Sequence, residues 1–173
     1  MVVCPSSLLA RADAVRKTGG FNPILRFSED SDFLFRLALV TRFCYVSLPL
    51  VRKDQGPVEI RHAGVAAEWN RLEFVLEQSR TRLEGLLRLS DGLLRPVHKL
   101  IRKQLGSTHS GLTNCYLETG EYAKARRAVS QAVRFDFTFN VAMKWLLTWI
   151  SPSLARKTVL HRLDRKGDRA PVL

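Results

Sequence analysis

Acidic residues, cysteines and long apolar runs are all scarce in this chain of 173 residues. Sixteen Asp and Glu stand against 28 Lys and Arg, a formal net charge of +12. That balance draws phosphate, whether in nucleic acid, anionic lipid or nucleotide, although arginine-rich helices also serve as plain solvated surface. The three cysteines, Cys4, Cys44 and Cys115, are odd in number and far apart. They form neither a metal-ligand pattern nor a disulfide framework, which suits a reducing cytosol. No apolar run approaches the ~18–20 residues that span a bilayer. The opening "MVVCPSSLLARADAV" carries no basic segment and no sustained apolar core, so no signal peptide is expected. There is no Cys/His finger, no RNA-recognition signature and no Gly-rich phosphate loop, which makes nucleic acid an unfavoured partner.

What is present reads as globular. Apolar residues make up 46% of the chain and charged residues 25%, enough for a core in one domain or in part of a larger one. The charge is unevenly placed: residues 1–70 hold nine Lys/Arg and seven Asp/Glu, and the other 103 hold nineteen and nine. The basic character therefore belongs to the second part.

Texture divides the chain at the same place. "ARADAVRK" predicts a short helix ended by Gly19 in the left-handed conformation. "NPILRFS" reads as a loop, and a helix from about Ser31 to Val40 follows, capped by Ser28 or Asp30, with Phe33, Leu34, Leu37 and Ala38 apolar. "RFCYVSLPLVR" alternates like a strand, and residues 1–10 look extended. From Val65 the pattern changes: Val65, Trp69, Leu72, Leu76, Ser79, Leu83 and Leu86 follow steps of four and three, one stripe on a long helix. Helix breaks are expected near Asp91-Gly92, Gly106-Ser107, Gly120, Phe135–Thr138 and Ser151-Pro152. The fold expected is an α/β portion over residues 1–62 followed by an all-helical extension over 63–173. Within the extension, Leu112, Tyr116, Gly120, Tyr122, Ala125 and Ala132 suit one tetratricopeptide-like hairpin at about 108–136. His109, Thr113 and Phe137 depart from that repeat's usual residues, and one copy makes no solenoid.

"FSEDSDFLFRLAL" gathers Glu29, Asp30 and Asp32 where a helix opens. Carboxylates there meet unpaired N–H groups and the positive end of the helix dipole. Such a group can cap the helix, act as a general base toward a hydroxyl nucleophile, or bind metal, though no convincing partner for metal binding stands nearby.

The wider stretch "PSSLLARADAVRKTGGFNPILRFSEDSDFLFRLAL…RFCYVSLPLVR" resembles the acceptor-side half of the family-two inverting glycosyltransferases, which use nucleotide-sugar donors and have the A-type α/β fold. The matching pieces are Gly19-Gly20-Phe21, Glu29-Asp30, Asp32, Arg36 and Pro49-Leu50, over roughly residues 4–55. The resemblance implies that Asp30 is the catalytic base and that Glu29 helps orient the acceptor. It implies that Gly19 and Gly20 form a turn beside the donor sugar, and that Asp32 and Arg36 belong to the substrate-binding helix. It further implies a nucleotide-sugar donor, a carbohydrate or lipid-linked acceptor in cell-surface polysaccharide or glycolipid synthesis, and a cytoplasmic setting on the inner face of the membrane. A divalent metal, Mg or Mn, is implied for the complete enzyme, with ligands mostly outside this chain. Asn22 replaces the usual acid after Gly-Gly-Phe, Ser31 replaces an aromatic, and His62 aligns with the family's metal-binding histidine only through a longer loop. No Asp-x-Asp occurs in a metal-binding loop, and no nucleotide-binding half precedes the motif. The chain is therefore expected to be part of a longer enzyme and inactive alone.

Two features stand outside the resemblance. "FTFNVAMKWLLTWI" is rich in Trp and Phe. It reads either as a core helix or as an interfacial helix that docks on an anionic membrane beside basic helices. A basic helical module for protein or nucleic-acid partners, without catalysis, explains the second part but not the first. Trp69 reads as packing in the long helix, and His98, His109 and His161 fall in no ligand pattern.

Overall fold

The computed structural model describes residues 7–44, 46, 72–89 and 95–166. Seven helices are formed by these residues: α1 (Ala12–Thr18), α2 (Glu29–Val40), α3 (Leu72–Leu89), α4 (Arg95–Thr119), α5 (Tyr122–Phe135), α6 (Phe139–Ile150) and α7 (Pro152–Lys166). The protein is mostly helical. It divides into two compact units, Met1–Leu86 and Leu87–Leu173. The boundary expected near residue 62 lies outside the described residues, as do Val65, Trp69 and His62.

The α/β portion expected over residues 1–62 is not supported, because no strand occurs among the described residues. Arg42–Cys44 follow the extended residue Thr41 (φ −149°, ψ 164°) and are exposed and non-helical. Alternating apolar residues become a strand only where a neighbour supplies ladder hydrogen bonds, and none is present among the described residues. Tyr45 and residues 47–52, the rest of that expected strand, lie outside the described residues.

In the first unit, α1 ends as its sequence predicts. Gly19 (φ 75°) and Gly20 (φ 74°) both adopt the left-handed conformation. Their N–H groups donate back to the carbonyls of Arg16 and Val15, at 3.1 and 3.3 Å. This closes the last turn in the Schellman manner and reverses the chain. The core here is small: Ala14 of α1 meets Phe33 and Leu37 of α2, with Leu8, Ala10 and Val15 packed partly against them. α3 buries Leu83 and Leu86, the end of the apolar stripe, while Leu72 at its start is exposed.

The second unit is built on the α4–α5 hairpin. Gly120 (φ 81°) makes the turn. The pairing is antiparallel: Lys124 lies over the Tyr116 ring, His109 stacks on Phe135 at 5.6 Å, and Arg102 donates to the Arg134 carbonyl. Ala125, Ala128, Val129 and Ala132 form the small-residue face of α5 against Leu112, Tyr116 and Leu117 of α4. Small side chains on one helix let the larger ones on its partner interdigitate at close range. α6 runs back along α5, with Trp145 Nε1 donating to Ser130 Oγ (3.2 Å) and Arg126 donating to the carbonyls of Thr148 and Trp149.

The expected break at Gly106-Ser107 is absent. α4 runs unbroken from Arg95 to Thr119 with Gly106 buried inside it. Its missing side chain serves packing: a Cβ at Gly106 would lie 2.5 Å from Asp136 Cβ and 3.1 Å from its backbone nitrogen. The glycine is there so that the α5–α6 connection can cross α4. The breaks expected at Gly120, at Phe135–Thr138 and at Ser151-Pro152 all occur. Thr138 caps α6 by accepting from Val141 N.

Candidate functional site: the acidic mouth of helix α2

α2 opens two residues earlier than the sequence suggests, at Glu29, with Ser28 as its N-cap residue. Ser28 sits at φ 58°, ψ 26°, a left-handed conformation that a residue with a Cβ seldom adopts. Its hydroxyl makes no capping bond. A side-chain cap needs the extended backbone usual at that position, and the left-handed turn forgoes it.

The three acids have different fates. Asp32 is buried. Its Oδ2 accepts from Arg36 Nε at 2.8 Å and pairs ionically with Nη2 at 2.7 Å, one turn later on the same helix. Arg36 Nη1 donates to the carbonyl of Thr18, at the end of α1. Asp32 and Arg36 thus bind one another and clamp α2 to the residue before Gly19. Phe21, just past the glycines, lays its ring against Phe33 of α2, with centroids 4.6 Å apart. Gly19-Gly20-Phe21 and the acidic turn, eight residues apart in sequence, are held together by these two contacts.

Asp30 and Glu29 are only half-buried. Asp30 Oδ1 accepts from the N–H of Ser31 (2.6 Å) and is 3.2 Å from its hydroxyl. Its Oδ2 has no protein hydrogen bond among the described residues, and neither does the carboxylate of Glu29. A carboxylate with one oxygen anchored and the other open is oriented yet able to accept a proton.

A residue that sequence reading missed completes the group. Arg82 of α3 lies close enough to Asp32 and Asp30 to feel both charges. Burial pushes its guanidinium below arginine's usual range, while the two aspartates pull the other way. Its Nε is buried without a hydrogen-bond partner. α3 is joined to this region by Gln78, whose Oε1 accepts from the N–H of Arg26 at 2.7 Å. Arg82 gave no local signal in the sequence because it is one of several charged residues between stripe positions; only packing sets it apart.

No three His, Cys, Asp or Glu side chains converge as metal donors among the described residues. A cavity of about 410 Å³ in the second unit is lined by Ser110, Asn114, Lys144, Leu147 and Val159, among others, with no carboxylate on its wall. It is unsuited to base chemistry. Comparison with protein-family models, with curated proteins and with solved structures finds no match to this chain.

Proposed function

We propose that the acidic mouth of α2 is the acceptor side of an inverting glycosyltransferase site. The observation that carries this reading is the division of labour among three neighbouring acids. Asp32 is spent on Arg36, whereas Asp30 keeps one carboxylate oxygen open. Asp30 Oδ1 accepts from the N–H of Ser31 in the first turn of the helix, which fixes the carboxylate and leaves Oδ2 for the acceptor.

In this mechanism Asp30 takes the proton from an acceptor hydroxyl. That oxygen bonds to the anomeric carbon of the donor as the bond from that carbon to the nucleoside diphosphate breaks on the opposite face. One base on one face suffices for a single inversion. Glu29 orients the acceptor. The paired glycines let the chain lie near the sugar, since no side chain projects from the turn. Asp32 and Arg36 hold the acidic turn against it. Donor and acceptor are a nucleotide-sugar and a carbohydrate or lipid-linked alcohol, and the reaction belongs on the cytoplasmic side of the membrane.

The test is release of nucleoside diphosphate from a panel of nucleotide-sugars, using this chain alone and the chain translated continuously with the coding sequence before Met1. The expected result is acceptor-dependent release and a product whose proton NMR coupling reports inversion. Retention of configuration, or no turnover of any donor by either protein, refutes the reading.

A further inference from the structure

We propose that the outer face of α6 is a docking surface for an anionic lipid bilayer. This inference stands independently of the transferase reading.

α6 is turned inside out. Its inward face carries Lys144, whose Nζ donates to the backbone carbonyl and hydroxyl of Ser110, and Thr148, which is fully buried. Its outward face carries Phe139, Met143, Leu146 and Ile150, at steps of four, three and four that place them in one row. Phe139 is 78% exposed and Ile150 is 73% exposed. Leu154, one turn into α7, extends the row. Val141 and Leu147 stay half-buried on the inner side, and the exposed apolar residues of the outer row are left for a non-aqueous partner.

The border of the row favours a bilayer over a second copy of the chain. Trp149 flanks it, half-exposed, with the Arg126 guanidinium 5.1 Å from the ring centroid. Exposed Lys157 follows Leu154 by three residues. An indole beside a cation suits the level where acyl chains meet headgroups. Residues 95–166 carry fourteen Lys/Arg against four Asp/Glu, so a negatively charged surface is complementary and a second copy is repelled. At twelve residues α6 is about 18 Å long, too short to cross a bilayer of about 30 Å. No helix among the described residues is long and apolar enough to span one. α6 therefore lies in the plane of the interface.

The experiment is flotation of the full chain with vesicles of phosphatidylcholine alone or with phosphatidylglycerol added, alongside light scattering for mass. The chain is expected to float with the anionic vesicles only, and to show tryptophan quenching by brominated lipid. The double substitution Phe139→Glu with Ile150→Glu, at positions already exposed, should reduce flotation to the phosphatidylcholine level with an unchanged far-UV spectrum. Arg126→Gln and Lys157→Gln should each weaken partitioning about five-fold. Failure to float with either vesicle overturns the proposal. So does flotation that survives the double substitution, or a dimer that the double substitution dissociates without any vesicle binding.

Discussion

Replacing Arg36 with Met tests whether the buried pair holds the candidate site in shape. The change keeps most of the aliphatic stem but removes both contacts to Asp32 and the donor to Thr18. The Asp32 side chain is only 5% exposed, so its charge is stranded. Breaking a buried ion pair from one side costs about 3–5 kcal/mol. Arg82 remains near Asp32 and offsets part of that, which places the expectation at the lower end. At about 3 kcal/mol, amide exchange within α1 and α2 should accelerate roughly 100-fold when opening is at equilibrium. Asp32→Asn keeps the shape and an acceptor for Arg36 but leaves that half-buried guanidinium without its counter-charge, at a cost of about 1–3 kcal/mol. In the double variant the two costs should fail to add, by at least about 1 kcal/mol. Hydrogen exchange read by mass spectrometry on peptides covering residues 12–40 gives each value, and peptides from α4 to α6 serve as the internal control. If Arg36→Met changes exchange across α1 and α2 less than about threefold, well under 1 kcal/mol, the clamp does not hold the site and the reasoning fails.

Further predictions concern three single backbone positions. Gly106→Ala should destabilise the second unit by up to about 2 kcal/mol, the overpacking cost of about 1–3 kcal/mol against Asp136 less the helix-propensity gain of about 1 kcal/mol. Gly85→Ala, where a Cβ meets nothing within 4 Å, should instead stabilise α3 by up to about 1 kcal/mol, and exchange protection distinguishes the two signs. Ser28→Gly relieves the left-handed strain, loses no cap bond, and should stabilise α2 by up to about 1 kcal/mol, whereas Ser28→Val should unravel its first turn; exchange of the amides of residues 29–32 reports both.

Sequence and structure agree most closely where one residue decides the local backbone. The glycines at 19 and 120 were legible as turns because φ above zero is a property of glycine itself. Pro152 and the segment Phe135–Thr138 likewise marked helix ends. Gly106 misled for a reason of the same kind: the sequence shows a missing side chain, but only Asp136, thirty residues away, shows that its absence serves packing rather than a break. The described part of the expected strand, Arg42–Cys44 and Val46, forms none, because strand formation depends on a neighbour, a property no single segment carries. Within the candidate site, the presence of Glu29, Asp30, Asp32 and Arg36 was legible. Which acid is spent on the arginine was not, since both Asp30 and Asp32 precede Arg36 on the same helix. Arg82 was invisible until α3 packed beside α2. The Trp-rich helix left two readings open, core or interface. Its sequence did not show that Lys144 would reach Ser110 of α4 or that Thr148 would be buried.

The account rests on the open oxygen of Asp30 being the site of proton transfer, and Asp30→Asn in the nucleotide-sugar-active protein addresses that claim most directly. The amide keeps the side chain's shape and Ser31's hydrogen bond to Oδ1 but cannot take a proton. The account predicts a fall in kcat of at least about 100-fold, with unchanged circular dichroism and unchanged exchange across α2. Turnover near that of the unsubstituted protein would contradict it.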